Sequence, residues 1–374
     1  MTTWRYIKND NVTASAGLAA DEVLANCSGA GTSLPTLRLY TYQPCALVGR
    51  FQSIENELNL DYCTITGIPI NRRPTGGGAI IMGQDQLGVA LVISGKSDET
   101  YAHVRERMAQ FSQGMITGLT SLGIPIEFRR KNDLEVNGKK IAGLGLHKTA
   151  TGGLLFHASL LVGLDVPFML NVLNIPFEKI SDKEISTVSE RTTTVRLETN
   201  TDLNIDEVRE IILNGYREAF QVKIRNGDYM VSELEEIHQL EKTKYQNNDW
   251  IFQTTDIPDA TGKSKVKTSG GLLDVRVVLA GKMIKSTYIG GDFFTSEHAI
   301  ADLEQSLRWQ SSHKNTVYKT LSKVYERWSE DLTNLPIDSL LKAIESATQK
   351  AECLARKESE NPYGCFVNPG VSHA

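Results

Sequence analysis

Residues 71–94 contain three consecutive glycines between a pair of arginines and two apolar runs. Pro74 prevents a helix from continuing through this segment, and glycines, which lack a Cβ, let backbone N–H groups approach a bound anion closely. The runs at 79–82 and 87–94 are typical of two strands joined by a short polar turn. The segment therefore predicts a glycine-rich binding loop set between strands.

Arg72 and Arg73 come directly before this loop. A guanidinium group beside a loop of backbone amides is suited to binding phosphate or carboxylate. The same pattern also fits a mobile hairpin loop beside two solvated arginines. From residue types alone, the two interpretations carry equal weight.

The Asn-Gly dipeptide at 137–138 predicts a hairpin, because this dipeptide favours a two-residue type I′ turn. In that register Glu135 pairs with Lys140, and Leu134 pairs with Ile141. Strand side chains alternate between the two faces of a sheet. The charged residues of the hairpin are therefore expected on one face and the apolar residues on the other.

Asp133, Glu135 and Lys140 share the polar face of this predicted hairpin. The simplest interpretation is an exposed ion pair between Glu135 and Lys140, worth about 0.2–1 kcal/mol. The alternative is a catalytic role for Lys140. Spacing alone favours the ion pair.

The composition limits the class of protein. With a net charge of −5, the chain is not expected to bind nucleic acid or an anionic membrane. No run approaches the roughly 20 apolar residues of a membrane-spanning helix. The first residues, MTTWRYIKND, lack the basic and apolar regions of a secretory signal. The five cysteines form no disulfide framework, and we therefore expect a cytoplasmic protein.

The sequence predicts no metal site. It contains no HExxH or CxxC motif. Cys353, Cys365 and His373 are too few and too widely spaced for a closed tetrahedral site. An ordinary C-terminal extension is the better interpretation of these residues.

The 374 residues are enough for about two domains. Apolar residues at helical spacing predict one long helix over 97–122. A polar, glycine-containing stretch then precedes a predicted hairpin at 272–289. We therefore divide the chain into a first domain, 1–250, an accessory domain, 251–330, and a helical extension with an irregular tail, 331–374.

Five segments resemble, in the same order, the motifs of the lipoate-protein ligase A family. The glycine loop RRPTGGGAI at 72–80 is similar to the RRxSGGGAV signature of that family. The other four are GLAADE at 17–22, VGRFQSIENELN at 48–59, KNDLEVNGKKIAG at 131–143 and LLFHASLLVG at 154–163. More loosely, the hairpin SGGLLDVRVVLAGKMI and the segment GGDFF resemble the C-terminal domain of lipoate-protein ligases.

The resemblance implies an α+β fold, in which a biotin/lipoate-ligase-like catalytic domain with mixed sheets and flanking helices precedes a small α+β C-terminal accessory domain. It also implies an enzyme that uses ATP and Mg²⁺ to convert lipoate or octanoate to an acyl-adenylate. The acyl group then passes to a lysine of a lipoyl-carrier protein. That acceptor is expected to be a lipoyl domain of a 2-oxoacid dehydrogenase E2, a glycine-cleavage H protein or another lipoate-binding protein.

The same resemblance assigns roles to individual residues. Lys140 falls on the family lysine that contacts both the acyl carboxylate and the nucleotide phosphate, so it is the first catalytic candidate. Asp133 is the second candidate, placed to orient or deprotonate the acceptor amine, and His157 is expected to line the pocket. The acyl-adenylate is expected to bind the loop residues Arg73, Gly76, Gly77, Gly78, Ala79, Ile80 and Ile81.

Met82 departs from the family pattern. Lipoate-protein ligases usually have HD after GGGAV, whereas this chain has MGQDQL at 82–87. The methionine replaces an imidazole that could form hydrogen bonds. The motif therefore leaves the choice between lipoate and octanoate open.

Two other functions are compatible with the resemblance. An octanoyl or lipoyl transferase that forms an acyl-enzyme needs a thiolate near the acyl pocket, and the chain has no cysteine between Cys63 and Cys353. A non-catalytic adenylate sensor is expected to carry a DNA-binding helix-turn-helix, and none is recognisable in the sequence before Trp4. The sequence therefore favours the ligase.

Overall fold

The computed structural model describes residues 2–95, 103–129, 132–173, 190–253 and 262–360, with side chains up to residue 353. The chain forms two compact units, Met1–Gln253 and Thr254–Ala374. The glycine loop and the Asn-Gly hairpin both lie in the first unit.

The first unit is built on two sheets. Its strands are β1 (Thr3–Val12), β2 (Thr36–Tyr42), β3 (Cys45–Val48), β4 (Ile70–Arg72), β5 (Ile80–Met82), β6 (Gln86–Ser94), β7 (Ile126–Arg129), β8 (Asp133–Val136), β9 (Lys139–Lys148), β10 (Gly153–Leu161) and β11 (Lys223–Asn226). The larger sheet has the order β11-β1-β2-β6-β10-β9-β8-β7, and the smaller has the order β4-β3-β5. Both sheets are mixed, because β1 pairs in parallel with β2 and β11, and β3 pairs in parallel with β4.

Helices flank these sheets. They are α1 (Ala14–Gly29), α2 (Ile54–Glu57), α3 (Leu60–Thr66), α4 (Val104–Phe111), α5 (Gln113–Thr120), α6 (Val166–Val172), α7 (Val195–Thr199), α8 (Ile205–Phe220), α9 (Val231–Leu240) and α10 (Asn248–Phe252), with a π-helical turn at Glu241–Tyr245. The Thr13 hydroxyl accepts a hydrogen bond from Ala16 N at 3.2 Å and thereby caps α1. The buried face of α1 packs against β6 and β10. The predicted α+β fold with mixed sheets and flanking helices is confirmed.

The prediction of one long helix over 97–122 is wrong, because the structure has two helices, α4 and α5, that meet at Ser112. The Ser112 hydroxyl donates a hydrogen bond to the carbonyl oxygen of Ala109 at 3.1 Å. Bonds of this kind compete with the backbone ladder and bend helices. The start of the predicted helix, at 97–102, lies outside the described residues.

The Asn-Gly hairpin forms between β8 and β9, and both turn residues have positive φ, 50° and 80°, as a type I′ turn requires. Glu135 lies opposite Lys140, as predicted. The predicted pair of Leu134 with Ile141 is wrong, because the pairing shifts and Leu134 lies opposite Ala142. One extra residue on β9 therefore forms a bulge, a feature that reorients neighbouring side chains.

Over residues 262–360, the second unit contains a three-stranded antiparallel sheet and three helices. Its elements are β12 (Gly262–Lys267), β13 (Leu272–Ala280), β14 (Met283–Gly291), α11 (Glu297–Leu307), α12 (Lys314–Arg327) and α13 (Ile337–Glu360). α13 packs against β12 and β13, so it belongs to the fold of this unit. None of the helices in the described ranges is long and apolar enough to cross a membrane.

Arg72, at the end of β4, joins separate parts of the first unit. Its fully buried guanidinium donates hydrogen bonds to the carbonyl oxygens of Gly49 at 2.9 Å, Gln52 at 2.7 Å and Ile251 at 3.0 Å. These carbonyl groups lie in the turn after β3 and in α10. The interpretation of Arg72 as a solvated side chain is therefore wrong, and the residue is structural.

We expect Arg72→Met to lower the free energy of unfolding by about 3 kcal/mol or more, because it removes a charged donor from several buried carbonyl groups. The matched control is Arg225→Met at an exposed arginine on β11, with an expected change of less than about 0.5 kcal/mol. Urea unfolding followed by tryptophan fluorescence measures both. Equal stability of the two variants would contradict the structural role of Arg72.

Candidate functional site

A cavity of about 90 Å³ lies where α1, β2, the glycine loop, β9 and β10 meet. Its lining is partly apolar and partly polar. The apolar lining includes Leu18, Tyr40, Tyr42, Leu47, Ala79, Ile80, Met82, Leu144 and Ala158, and the polar lining includes Arg73, Asn132, Lys140, His157 and Ser159. The cavity therefore offers apolar surface for an acyl chain together with two cationic groups.

Arg73 holds the glycine loop in place. Its guanidinium donates hydrogen bonds to the carbonyl oxygens of Gly76 at 3.0 Å, Gly78 at 2.6 Å and Leu47 at 3.3 Å. The side chain is 6% exposed, and burial together with the charge of Arg72 lowers its pKa to about 10. Arg73 therefore remains charged at neutral pH, and the interpretation as a solvated arginine is wrong here as well.

The ion pair at the Asn-Gly hairpin joins Lys140 to Asp133, not to Glu135. The Lys140 Nζ lies 2.7 Å from the Asp133 Oδ1, and the two side chains are 36% and 21% exposed. Glu135 is 3% exposed, so the prediction of an exposed Glu135–Lys140 pair is wrong. The bulge on β9, opposite Leu134 and Glu135, changes the pairing at the point where Asp133 meets that strand. Asp133 itself does not line the cavity.

Two further contacts position Lys140. A Cβ on Gly143 would lie 3.0 Å from the Lys140 Nζ, so the glycine leaves room for the ammonium group. The backbone N–H of Thr193 donates to the Lys140 carbonyl oxygen at 2.8 Å. The segment before α7 is therefore tied to the strand that carries the lysine.

His157 links β10 to the glycine loop. Its Nε2 lies 2.7 Å from the Thr75 Oγ1. Burial lowers the pKa of His157 to about 3, with further contributions from the positive charges of Arg73 and His147. The imidazole is neutral at pH 7 and is a weak base, which agrees with a role in lining the cavity.

The structure brings six of the predicted site residues to the cavity: Arg73, Gly78, Ala79, Ile80, Lys140 and His157. Gly76 and Gly77 lie in the loop behind this surface, and a Cβ on Gly49 would come within 2.1 Å of the Gly77 carbonyl oxygen. Ile81 packs in a separate core with Ala46, because side chains alternate along β5. The Ile81 side chain therefore does not line this cavity, and its role in binding the acyl-adenylate stays a prediction.

Several lining residues were not predicted from the sequence. Tyr40 and Tyr42 lie two positions apart on β2, so both face the cavity, and this alternation was a usable signal. Asn132 precedes the Lys140 hairpin, and its Nδ2 donates to the carbonyl oxygen of Leu144 at 3.2 Å. No local pattern in the sequence identifies that contact.

The described cysteines do not line the cavity. Cys27, Cys45 and Cys63 are buried, and Cys353 is exposed in the second unit. Burial raises the pKa of Cys45 to about 12, so this thiol is protonated at neutral pH. Within the described ranges, no three His, Cys, Asp or Glu side chains converge as metal ligands.

Residues 13–217 match the family model described as the lipoyl protein ligase A/B catalytic domain. The chain belongs to this family. Residues 258–344 match a second model, the bacterial lipoate protein ligase C-terminus. The resemblance seen in the motifs is therefore confirmed for both units.

Curated relatives in the family include octanoyltransferases named LipM. That of Anoxybacillus flavithermus is 26% identical over 67% of this chain and 98% of its own length. That of Bacillus subtilis is 25% identical over the same shares. These relatives therefore match about two thirds of the chain over nearly their whole length.

Similar solved structures include lipoate-protein ligases. One is a bipartite lipoate protein ligase from Thermoplasma acidophilum, solved in a study with its E2 lipoyl domain, with 28% identity, a TM-score of 0.61 and coverage of 67% of this chain and 96% of that chain. Another is lipoate-protein ligase A bound with ATP, with 26% identity, a TM-score of 0.58 and coverage of 67% and 98%. LipL1 of P. falciparum in complex with lipoate shares the fold over 91% of this chain and 99% of its own, at 16% identity and a TM-score of 0.70.

We expect His157→Gln to make the protein less sensitive to acid. The folded-state pKa of about 3 lies below the unfolded value of about 6.5, so the unfolded chain binds more protons as the pH falls. Wild-type stability is therefore complete above pH 6.5 and decreases below it, by at most about 2 kcal/mol at pH 5. Urea unfolding at pH 7 and pH 5 measures the difference. His238→Gln, at an exposed histidine on α9, is the control, and an equal pH response of both variants would contradict the buried neutral state of His157.

Proposed function

We propose that this member of the family is an ATP-dependent ligase that joins lipoate, or octanoate, to a lysine of a lipoyl domain through an acyl-adenylate. The observation that carries the proposal is the lining of the cavity, which combines Lys140 and Arg73 with an apolar wall and, among the described residues, contains no thiol. Two cationic groups suit an acyl carboxylate and a phosphate. They do not suit an acyl-enzyme, for which a nucleophile is needed.

The second unit also supports a ligase. Residues 258–344 match a lipoate protein ligase C-terminus. Coverage does not separate the two activities, because the LipM octanoyltransferases and lipoate-protein ligase A bound with ATP each match 67% of this chain over 98% of their own length. The support from the second unit is therefore its own family match.

In the first step, a carboxylate oxygen of the acyl substrate attacks the α-phosphorus of ATP, and the bond to the pyrophosphate leaving group breaks. Mg²⁺ enters with ATP as part of the substrate. Negative charge increases on the α-phosphate oxygens in the transition state, and the Lys140 ammonium stabilises it. Asp133, 2.7 Å from the Lys140 Nζ, holds that ammonium group in position.

In the second step, the neutral amine of the acceptor lysine attacks the acyl carbon, and AMP leaves as the carbon–oxygen bond breaks. The amine loses one proton to solvent as the amide forms. Asp133 does not line the cavity, so it acts on the incoming amine through Lys140, whose ammonium group it holds at 2.7 Å. His157, with a pKa of about 3, contributes surface and a hydrogen bond to Thr75 rather than base catalysis.

The second candidate function is an octanoyl transferase that uses an acyl-carrier thioester. The specific support for this second function is the sequence identity between this chain and the LipM octanoyltransferases. In this chain the transfer would have to be direct, from the carrier thioester to the acceptor lysine. The cavity with its cationic groups gives no reason for a thioester to be preferred to a free acid.

The two functions differ in their acyl donor. We expect lipoate with MgATP to modify a recombinant apo lipoyl domain and to release AMP, because the cavity suits a free carboxylate. We also expect the reaction to survive replacement of all five cysteines by serine or alanine. Mass spectrometry of the lipoyl domain measures the modification with acid and ATP, or with octanoyl-carrier protein and no ATP. Modification in the second condition alone would establish the transferase instead.

Removal of the Lys140 ammonium tests the first step. Lys140→Ala is expected to slow pyrophosphate release from lipoate and ATP by about two to three orders of magnitude, the usual effect of removing one group that stabilises transition-state charge. Lys139→Ala, at the neighbouring position on the opposite face of β9, is expected to retain the wild-type rate. A Lys140→Ala variant that is folded and releases pyrophosphate at the wild-type rate would refute the assignment.

A further inference from the structure

Trp309, in the second unit, combines two unusual features. Its side chain is 52% exposed, and its backbone φ is 60°. A positive φ is an outlier for a bulky aromatic residue. Strained backbone of this kind persists only where the surrounding structure holds it, and it is concentrated at functional sites.

Backbone hydrogen bonds hold Trp309 in this conformation. The connection between α11 and α12 runs beside the start of β14. Trp309 N donates to the carbonyl oxygen of Ile284 at 2.6 Å, and Ile284 N donates to that of Gln310 at 2.8 Å. Ser312 N donates to the carbonyl oxygen of Lys282 at 2.9 Å. The indole is therefore presented to solvent on a fixed backbone.

The surface around Trp309 is cationic. Lys282 and Arg308 are both exposed beside it. The segments 278–290 and 308–325 contain no Asp or Glu, although the whole chain has a net charge of −5. These two segments are therefore positive on a chain that is acidic overall.

An apolar neighbour completes this surface. Met283, at the start of β14, is 38% exposed and pairs with Ser311 in the connection after Trp309. We define Lys282, Met283, Arg308 and Trp309 as the tryptophan patch. Lys314 is not included, because it is paired with Glu345.

We infer that the tryptophan patch docks an acidic face of the acceptor protein, an inference that rests on the proposed function. Only a lysine side chain of the acceptor enters the cavity, so affinity for this folded substrate must come from contacts elsewhere. Tryptophan and arginine supply much of the binding energy of protein interfaces. Positive charges around such an anchor attract an acidic partner and set its orientation. The net charge of −5 disfavours nucleic acid as the partner.

Trp309→Gly separates docking from a structural role. The substitution removes the indole and suits a positive φ, so the melting temperature is expected to stay equal or rise. The KM for a recombinant apo lipoyl domain is expected to rise about tenfold or more. Pyrophosphate release from lipoate and ATP without acceptor is expected to stay at the wild-type rate.

Charge reversal gives an independent test. The double variant Lys282→Glu, Arg308→Glu is expected to raise the same KM and to weaken its dependence on salt concentration. Ile65→Ala, at a residue of the first unit that is 84% exposed, is the matched control and is expected to leave KM unchanged.

An unchanged KM in Trp309→Gly and in the charge-reversal variant would overturn the inference. A changed rate of pyrophosphate release without acceptor would also overturn it, because the patch would then act within the chain. Calorimetric titration with the apo lipoyl domain in the absence of ATP measures docking alone, and it therefore distinguishes failure of the docking inference from failure of the proposed ligase activity. Weaker binding by the variants supports docking even if the wild-type protein forms no adenylate, which would refute only the proposed ligase activity.

Discussion

The guanidinium of Arg73 determines the shape of the site, because it is a buried charge that donates hydrogen bonds to three backbone carbonyl groups. Two of these, on Gly76 and Gly78, belong to the glycine loop, and the third, on Leu47, belongs to β3. A buried cation must be surrounded by oxygen atoms, so the loop turns its carbonyl groups towards it. The glycines allow this path, with Gly77 at a φ of 95°. The loop then forms one wall of the cavity.

Electrostatics give this cavity a constant positive charge near neutral pH. Burial lowers the pKa of Arg73 only to about 10, so the guanidinium stays charged. The same burial, with the Arg73 charge, lowers the pKa of His157 to about 3 and keeps the imidazole neutral. Lys140, on β9, adds a second cation, and Asp133 holds its ammonium group in position. An anionic acyl substrate and a nucleotide phosphate are both complementary to this arrangement.

Ligases and transferases of this family share a catalytic fold, so the fold does not separate the two activities. The difference in activity must come from the residues of the site and from the second unit. In this chain the site contains cations without a thiol among the described residues, and a second unit with a ligase-type family match follows. Trp309 of that unit has a strained backbone and presents an exposed indole to solvent.

Local signals in the sequence determined the glycine loop, the Asn-Gly turn, the α+β fold and the family, because glycine runs, turn dipeptides and ordered motifs act over a few residues. Only the tertiary structure decided which partners the charged side chains have. The carbonyl group that binds Arg72 on α10 is 179 residues away in the chain. The bulge beside Leu134 changes the pairing next to Asp133, the carboxylate that pairs with Lys140. Hairpin spacing cannot encode either contact, because both depend on how distant strands pair and how buried charges find oxygen atoms once the sheets have assembled.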